Sequence, residues 1–166
     1  MVLILRNKHI ILDNNIIFDF GAVDNFILLN RILADSSVLI SPEVREEVKK
    51  EIKIENLKFR LQAYTSATDY QNAARLKREQ KGLSDEDISC LVLAKKHNGI
   101  CASNDRLVRK VAKREGIAVI GSIGLLECAV PRRIVTRREA SQILLKMKEK
   151  GAFIEEKLIN EFLERR

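Results

Sequence analysis

Short runs of consecutive apolar residues alternate with longer amphipathic stretches along most of this chain. That alternation restricts it to a parallel sheet covered by helices. Lys8 to Leu12 reads as a first strand, and Ile16 to Leu33 follows with helical spacing through Ile17, Phe20, Phe26, Leu29 and Leu33. Val38-Leu39-Ile40 is a second strand, closed by Ser41-Pro42, where proline suits the first turn of a helix reaching Glu51 or beyond. Lys53 to Tyr64 carries no single period, and Phe59 to Tyr64 is its best strand candidate. A polar helix from Thr68 to Gln80 ends at Lys81-Gly82. Then come a helix Ser84 to His97, a strand Ile100 to Ala102, a helix Asn104 to Glu115 and a strand Ile117 to Ile120. The tail after Pro131 is amphipathic, with turns near Gly151. The reading is an α/β fold with a central parallel sheet over 1–130, extended by C-terminal helices over 131–166 of the same domain.

With 166 residues, 46% of them apolar, the chain is long enough for one domain with a real core. No apolar run is long enough to cross a bilayer, and Met1 to Arg6 is too short and lacks the basic leader of a secretory signal. Cys90, Cys101 and Cys128 lack metal-binding spacing and sit among apolar neighbours, so they read as buried, reduced thiols of a cytoplasmic protein. The net charge of +7 favours a polyanionic partner, while the absence of Trp argues against a base-stacking platform for single strands.

Four carboxylates stand at strand ends or helix starts. Asp13 follows Ile10-Ile11-Leu12, and Asp105 follows Ile100-Cys101-Ala102 through Ser103-Asn104. Asp87 lies three residues after Ser84 and just before an apolar run, while Glu47 lies on the helix after Pro42, on the side of Val44. Glu43 and Glu46 are its neighbours on other faces. Each has a plain alternative: helix capping by Asp13 or Asn14, by Asp87 through a near capping box, and by Ser103 or Asn104 beside Asp105, and a solvated face for Glu47. Their coincidence at positions where parallel sheets gather functional groups favours a shared site. Converging acids repel one another, and a divalent cation relieves that repulsion.

The helix after Asp105 adds a second signal. Arg106, Arg109, Lys110, Lys113 and Arg114 share one face, and Leu107, Val108, Val111 and Ala112 share the other. A solvated charged face is the commoner use of such a stripe, but here it is one-signed and begins beside Asp105, which suits a phosphate track.

The segments Leu83-Ser84-Asp85-Glu86-Asp87, Leu91-Val92-Leu93-Ala94, Ser103-Asn104-Asp105-Arg106-Leu107 and Val111 to Ile117 resemble the second half of PIN-domain ribonucleases. Leu12-Asp13-Asn14-Asn15-Ile16-Ile17 and Pro42 to Val48 match the first half more loosely, and Lys49 to Lys81 is unmatched. The resemblance implies that Asp13, Glu47, Asp87 and Asp105 form the family's acidic quartet, with Asn15 and Ser103 in support. Asn14 departs from the small hydroxyl residue usual after the first acid, and Ser103 replaces the usual Thr. The implied activity is Mg²⁺- or Mn²⁺-dependent hydrolysis of RNA, with a VapC-like toxin subgroup and an antitoxin partner as its finer form. Two alternatives stay open: a PIN-like RNA-binding module without turnover, and a haloacid-dehalogenase-like phosphatase using Asp19. The second has Gly21 where that motif carries another Asp. Ile143, Leu144, Phe153, Leu158 and Phe162 could serve a homodimer or antitoxin docking, although packing on the chain's own core is the simpler use.

Overall fold

Consecutive strand residues point to opposite faces, so three in a row with no exposure require cover on both sides. Ile10, Ile11 and Leu12 are each 0% exposed, and Ile100-Cys101-Ala102 is buried throughout. In the computed structural model, which describes residues 4–165, these runs are strands β1 (His9–Leu12) and β4 (Ile100–Ala102). With β2 (Ser37–Ile40), β3 (Arg60–Leu61) and β5 (Ala118–Ile120) they form one parallel sheet in the order β3-β2-β1-β4-β5. The register pairs Leu12 with Ala102 and Ala102 with Ile120.

The strand order decides where function can sit. The chain starts in the middle with β1, lays β2 and β3 on one side, and then crosses back to place β4 and β5 on the other. Connections therefore diverge between β1 and β4, and the crevice at their carboxyl ends is the topological switch point of the sheet.

Helices fill the connections, and capping fixes most of their starts. The first expected helix is in fact two, α1 (Asn14–Ala22) and α2 (Phe26–Ile32). Asp24 takes a left-handed φ of 52°, a conformation Asp tolerates better than most residues, and Asn25 caps α2 by accepting from Leu28 N at 3.2 Å. The apolar period runs through this break, which is why the sequence reads as continuous.

Helix α3 (Pro42–Lys49) starts at the proline as expected but ends short of Glu51. The strand expected over Phe59 to Tyr64 contracts to the two exposed residues of β3 at the sheet edge. Helices α4 (Ala67–Glu79), α5 (Asp85–Lys96) and α6 (Arg106–Arg114) lie where their periods place them. Helix α7 (Ser122–Ala129) has no counterpart in the sequence reading. It buries Leu125, Leu126, Cys128 and Ala129 and starts at Gly121 without a side-chain cap, so neither polar periodicity nor a start signal marks it.

The tail folds as α8 (Arg137–Glu149), opened by a Thr136/Glu139 capping box, and α9 (Glu156–Glu164). Leu144, Met147, Ile159 and Phe162 join the same apolar cluster as the strands. Phe153 stays 96% exposed, and Leu158 is also exposed. All three cysteines are buried, and burial pushes the Cys90 and Cys101 thiols well above their ordinary range. No helix among the described residues is long and apolar enough to cross a membrane. Met1 to Leu3, part of the stretch weighed as a leader, lie outside the described residues.

One ion-pair junction ties three helices together. Glu115, just past α6, accepts from Arg75 of α4 at 3.0 and 2.7 Å and from Lys95 of α5 at 3.0 Å. The Arg75 guanidinium, aided by Lys95, holds the Glu115 carboxyl down from 4.5 to about 2. A depressed carboxyl contributes stability above its unfolded pKa and loses it as pH falls through the folded one. Glu115→Gln should therefore lower the unfolding free energy by about 1–2 kcal/mol near neutral pH, the partners being partly solvated. That deficit should shrink between about pH 4.5 and about pH 2 in urea titrations of both proteins.

Candidate functional site

Asp13 ends β1 and caps α1. Its backbone N donates to Ala102 O at 3.0 Å, binding the end of β1 to the end of β4. Asp13 Oδ1 accepts from Asn14 N at 2.8 Å, and Oδ2 accepts from Asn15 Nδ2 at 2.7 Å and Ser103 Oγ at 2.6 Å. The residue is 0% exposed. Burial raises its carboxyl from 3.8 to about 6 despite these donors, and the charge of Asp87 pushes in the same direction.

Asp87 is the third residue of α5 and closes a capping box: Ser84 N donates to its Oδ2 at 2.8 Å, and its own N donates to Ser84 Oγ at 3.1 Å. The cap uses one carboxylate oxygen and leaves the other outside it. Burial raises this carboxyl too, with Asp105 and Glu86 adding like charge. Asp105 caps α6, Oδ1 accepting from Val108 N at 2.9 Å, and its N donates to Ser103 Oγ at 3.1 Å. Asp13, Asp87 and Asp105 thus form an electrostatic chain across the switch point. Capping and membership of that chain coexist on the same side chains.

Ser103 Oγ is the hub. It donates to Asp13 and accepts from Asp105 N and, at 3.1 Å, from Asn15 Nδ2. Asn15 Oδ1 in turn accepts from Asn104 N at 2.9 Å. The two supporting residues expected from the sequence therefore lie between the first and last acids.

Glu47 is placed differently. It lies on α3, its side chain 35% exposed, and pairs with Lys50 at 2.8 Å rather than with the three aspartates. Among the described residues, no three His, Cys, Asp or Glu side chains form a ready metal cage. Glu43, set aside from the sequence as facing elsewhere, has Oε2 buried without a hydrogen-bond partner. It occupies the first turn of α3, at the carboxyl end of the strand next to β1. Its signal was that position, an acid directly after a strand-closing Ser-Pro.

Asp19, the fallback first acid, lies inside α1 and not at a strand end. It accepts from Asn104 and Ser122, so the strand-end geometry of the phosphatase register is not adopted.

The donor chemistry fits a hard divalent ion better than a soft one. The acids offer oxygen, and the thiol beside Asp13, Cys90 at 4.0 Å from Oδ1, is buried. On α6, all five basic residues are exposed, and Val108, Val111 and Ala112 are buried. Arg106 pairs with Glu155, and Arg114 with Glu79 and Glu115. Arg109 Nη1 donates to Ser103 O at 3.2 Å. Lys110 and Lys113 make no ion pair among the described residues.

The raised carboxyls give a signed prediction. Asp13 and Asp19 bind a proton at about 6 when folded and near 3.8 when unfolded. Between those values the native state holds more protons, so metal-free protein gains stability as pH falls through that window. Each full shift corresponds to roughly 3 kcal/mol, of which about half is regained near pH 5. Urea midpoints in chelator should rise from about pH 7.5 to about pH 5 and flatten in an Asp13→Asn/Asp19→Asn double variant. A wild-type midpoint that falls in step with the variant's would remove the basis for this assignment.

The family comparison agrees with the geometry. A family model described as a PIN domain matches residues 9–166, spanning every strand and helix of the structure. No curated protein matches the chain significantly. The Lys49–Lys81 stretch, unmatched in the motif reading, falls inside the matched span. The sheet order, the switch-point acids and that match place the chain in the PIN-domain family, whose fold is that of nucleases.

Proposed function

We propose that the chain is a divalent-metal-dependent endoribonuclease acting at the carboxyl ends of β1 and β4. The observation that carries the reading is the chain Asp13–Asp87–Asp105 at the place where α/β sheets bind ligands: burial raises the Asp13 and Asp87 carboxyls, with the charge of Asp87 adding at Asp13 and that of Asp105 adding at Asp87. Asp13, Asp87 and Asp105 would hold Mg²⁺ or Mn²⁺ directly or through water, with Glu47 completing the set after leaving Lys50. When bound, the ion supplies positive charge that acidifies water and offsets charge on the scissile phosphate. The residues themselves do the positioning. Ser103 and Asn15 hold the Asp13 carboxylate, the Ser84 box orients Asp87, and the α6 cap orients Asp105. Lys110 and Lys113, cations of α6 that make no ion pair among the described residues, would lead the RNA backbone towards the acids without reading its sequence.

A second reading has its own support. Glu47 is engaged by Lys50, and among the described residues no three acids form a cage, which fits a PIN-like RNA-binding module without turnover. The finer toxin role belongs to the first reading, with an antitoxin protein or a second copy of the chain as partner. The exposed Phe153, Leu158 and Leu163 are the surface such a partner would cover.

Labelled mixed RNA incubated with wild type and Asp87→Asn, with and without Mn²⁺ or Mg²⁺, separates the two. The nuclease reading expects metal-dependent cleavage that falls more than about 100-fold in the variant, beyond the usual outer-shell effect. Uncut RNA that is still bound in every lane favours the module. Under either reading, Lys110→Ala and Lys113→Ala should each flatten the salt dependence of RNA affinity by about 0.7 in logarithmic slope. Unchanged slopes would remove α6 from the RNA path.

A further inference from the structure

Asp19 is a buried carboxyl that the acid site does not use. It is 7% exposed, and burial lifts its carboxyl to about 6, so an apolar side chain at this position would avoid a desolvation cost. Its Oδ2 accepts from Asn104 Nδ2 at 2.6 Å and from Ser122 Oγ at 3.0 Å. Asn104 is held from every other side as well. Its Nδ2 also donates to Ser122 Oγ at 3.0 Å, its Oδ1 accepts from Ser122 N at 2.9 Å, and its backbone N donates to Asn15 Oδ1. Gly121 leaves room for this amide, since a Cβ there would come within 2.5 Å of Asn104 Oδ1. The residues on either side of Asn104 are Ser103, which donates to Asp13, and Asp105, the last acid.

We propose that Asp19 is a positioning residue for the acid site, clamping Asn104 between α1 and the start of α7 and so fixing the distance between Asp13 and Asp105. The inference rests on the nuclease reading above. Asp19 touches neither substrate nor ion in this arrangement. It acts through Asn104, with Asn15 returning the constraint to Asp13. Its carboxylate suits the task because one oxygen accepts two donors from two separate elements, which a neutral hydrocarbon cannot do.

The test uses the full chain with Asp19→Leu, Asp19→Asn, Asn104→Ala and the Asp19→Leu/Asn104→Ala pair. The readouts are Mn²⁺ binding by calorimetry, kcat and KM for RNA cleavage, and the thermal midpoint. In folded Asp19→Leu, we expect Mn²⁺ affinity and kcat each to fall about 10–100-fold, the range for outer-shell partners, with KM for RNA nearly constant. Asp19→Asn keeps one acceptor for Asn104 and should recover most of the loss. The double variant should be little worse than either single one, because both break the same clamp. Wild-type Mn²⁺ affinity and kcat in Asp19→Leu, or additive losses in the pair, overturn the proposal. If Asp19→Leu does not fold, the smaller Asp19→Ala, which also removes the acceptor, carries the same cycle with Asn104→Ala and their pair. Wild type that binds Mn²⁺ but never cuts RNA defeats the nuclease reading alone, and the calorimetry still decides the clamp. Wild type that neither binds Mn²⁺ nor cuts RNA overturns both.

Discussion

The hydrogen bond from Ser103 Oγ to Asp13 Oδ2 joins two strand ends whose residues are 90 positions apart in the chain. It lies where the sheet's connections diverge, just past the last paired residues of the neighbouring strands β1 and β4, Leu12 and Ala102. Asp13 N to Ala102 O is the backbone counterpart of the same link. Together they permit a carboxylate with no exposure to persist at a strand end. Without those donors its burial would cost several kcal/mol or force it to stay protonated. Even with them the carboxyl is raised to about 6, so the site is held away from the electrostatic optimum of the metal-free chain. That is the expected cost of a polar group placed for chemistry rather than for stability.

Capping and function act together at these acids. A helix N-terminus presents unpaired N–H groups and a partial positive charge, which favour a carboxylate at the cap. Asp13, Asp87 and Asp105 each use this on a different helix, and each helix start is delivered to the same sheet edge. The helices thereby offset part of the repulsion among three acids that have no lysine or arginine bonded to them among the described residues. Glu47 follows the other rule for helical acids. Three residues ahead of Lys50 and partly solvated, it takes the nearest cation.

Legibility in the sequence followed the range of the interaction. β1 and β4 were readable because a strand covered on both faces is a plain apolar run, and β2 and β5 because their short apolar runs survive partial exposure. The starts of α3 and α5 were readable because Ser41-Pro42 and the Ser84–Asp87 box are local. The break at Asp24 was hidden because the apolar period continues through it, and α7 was hidden because it is apolar almost throughout. Pairing of the α6 stripe was out of reach: Arg106 meets Glu155 and Arg114 meets Glu79, 49 and 35 positions away. Periodicity gave the face and its sign, but it could not say which charges were already neutralised. The Asp19–Asn104–Ser122 cluster spans 103 positions, and no spacing rule reaches that far.

The distribution of paired and unpaired charge along α6 gives the stripe a direction. Arg106 is tied to the tail and Arg114 to α4, while Arg109 turns in to the carbonyl of Ser103 beneath the acids. Arg109 therefore belongs to the support of the strand end as much as to the surface. Lys110 and Lys113 are left exposed, one turn apart, as flexible ammonium groups that under the nuclease reading would neutralise phosphate without geometric selection. An arginine in their place would favour a fixed bidentate contact. Lysine would leave a bound backbone free to slide until a phosphate reached the carboxylates. Under the nuclease reading, the choice of scissile bond then falls to groups nearer the acids, where Glu43 keeps a buried and unpartnered oxygen at the carboxyl end of β2.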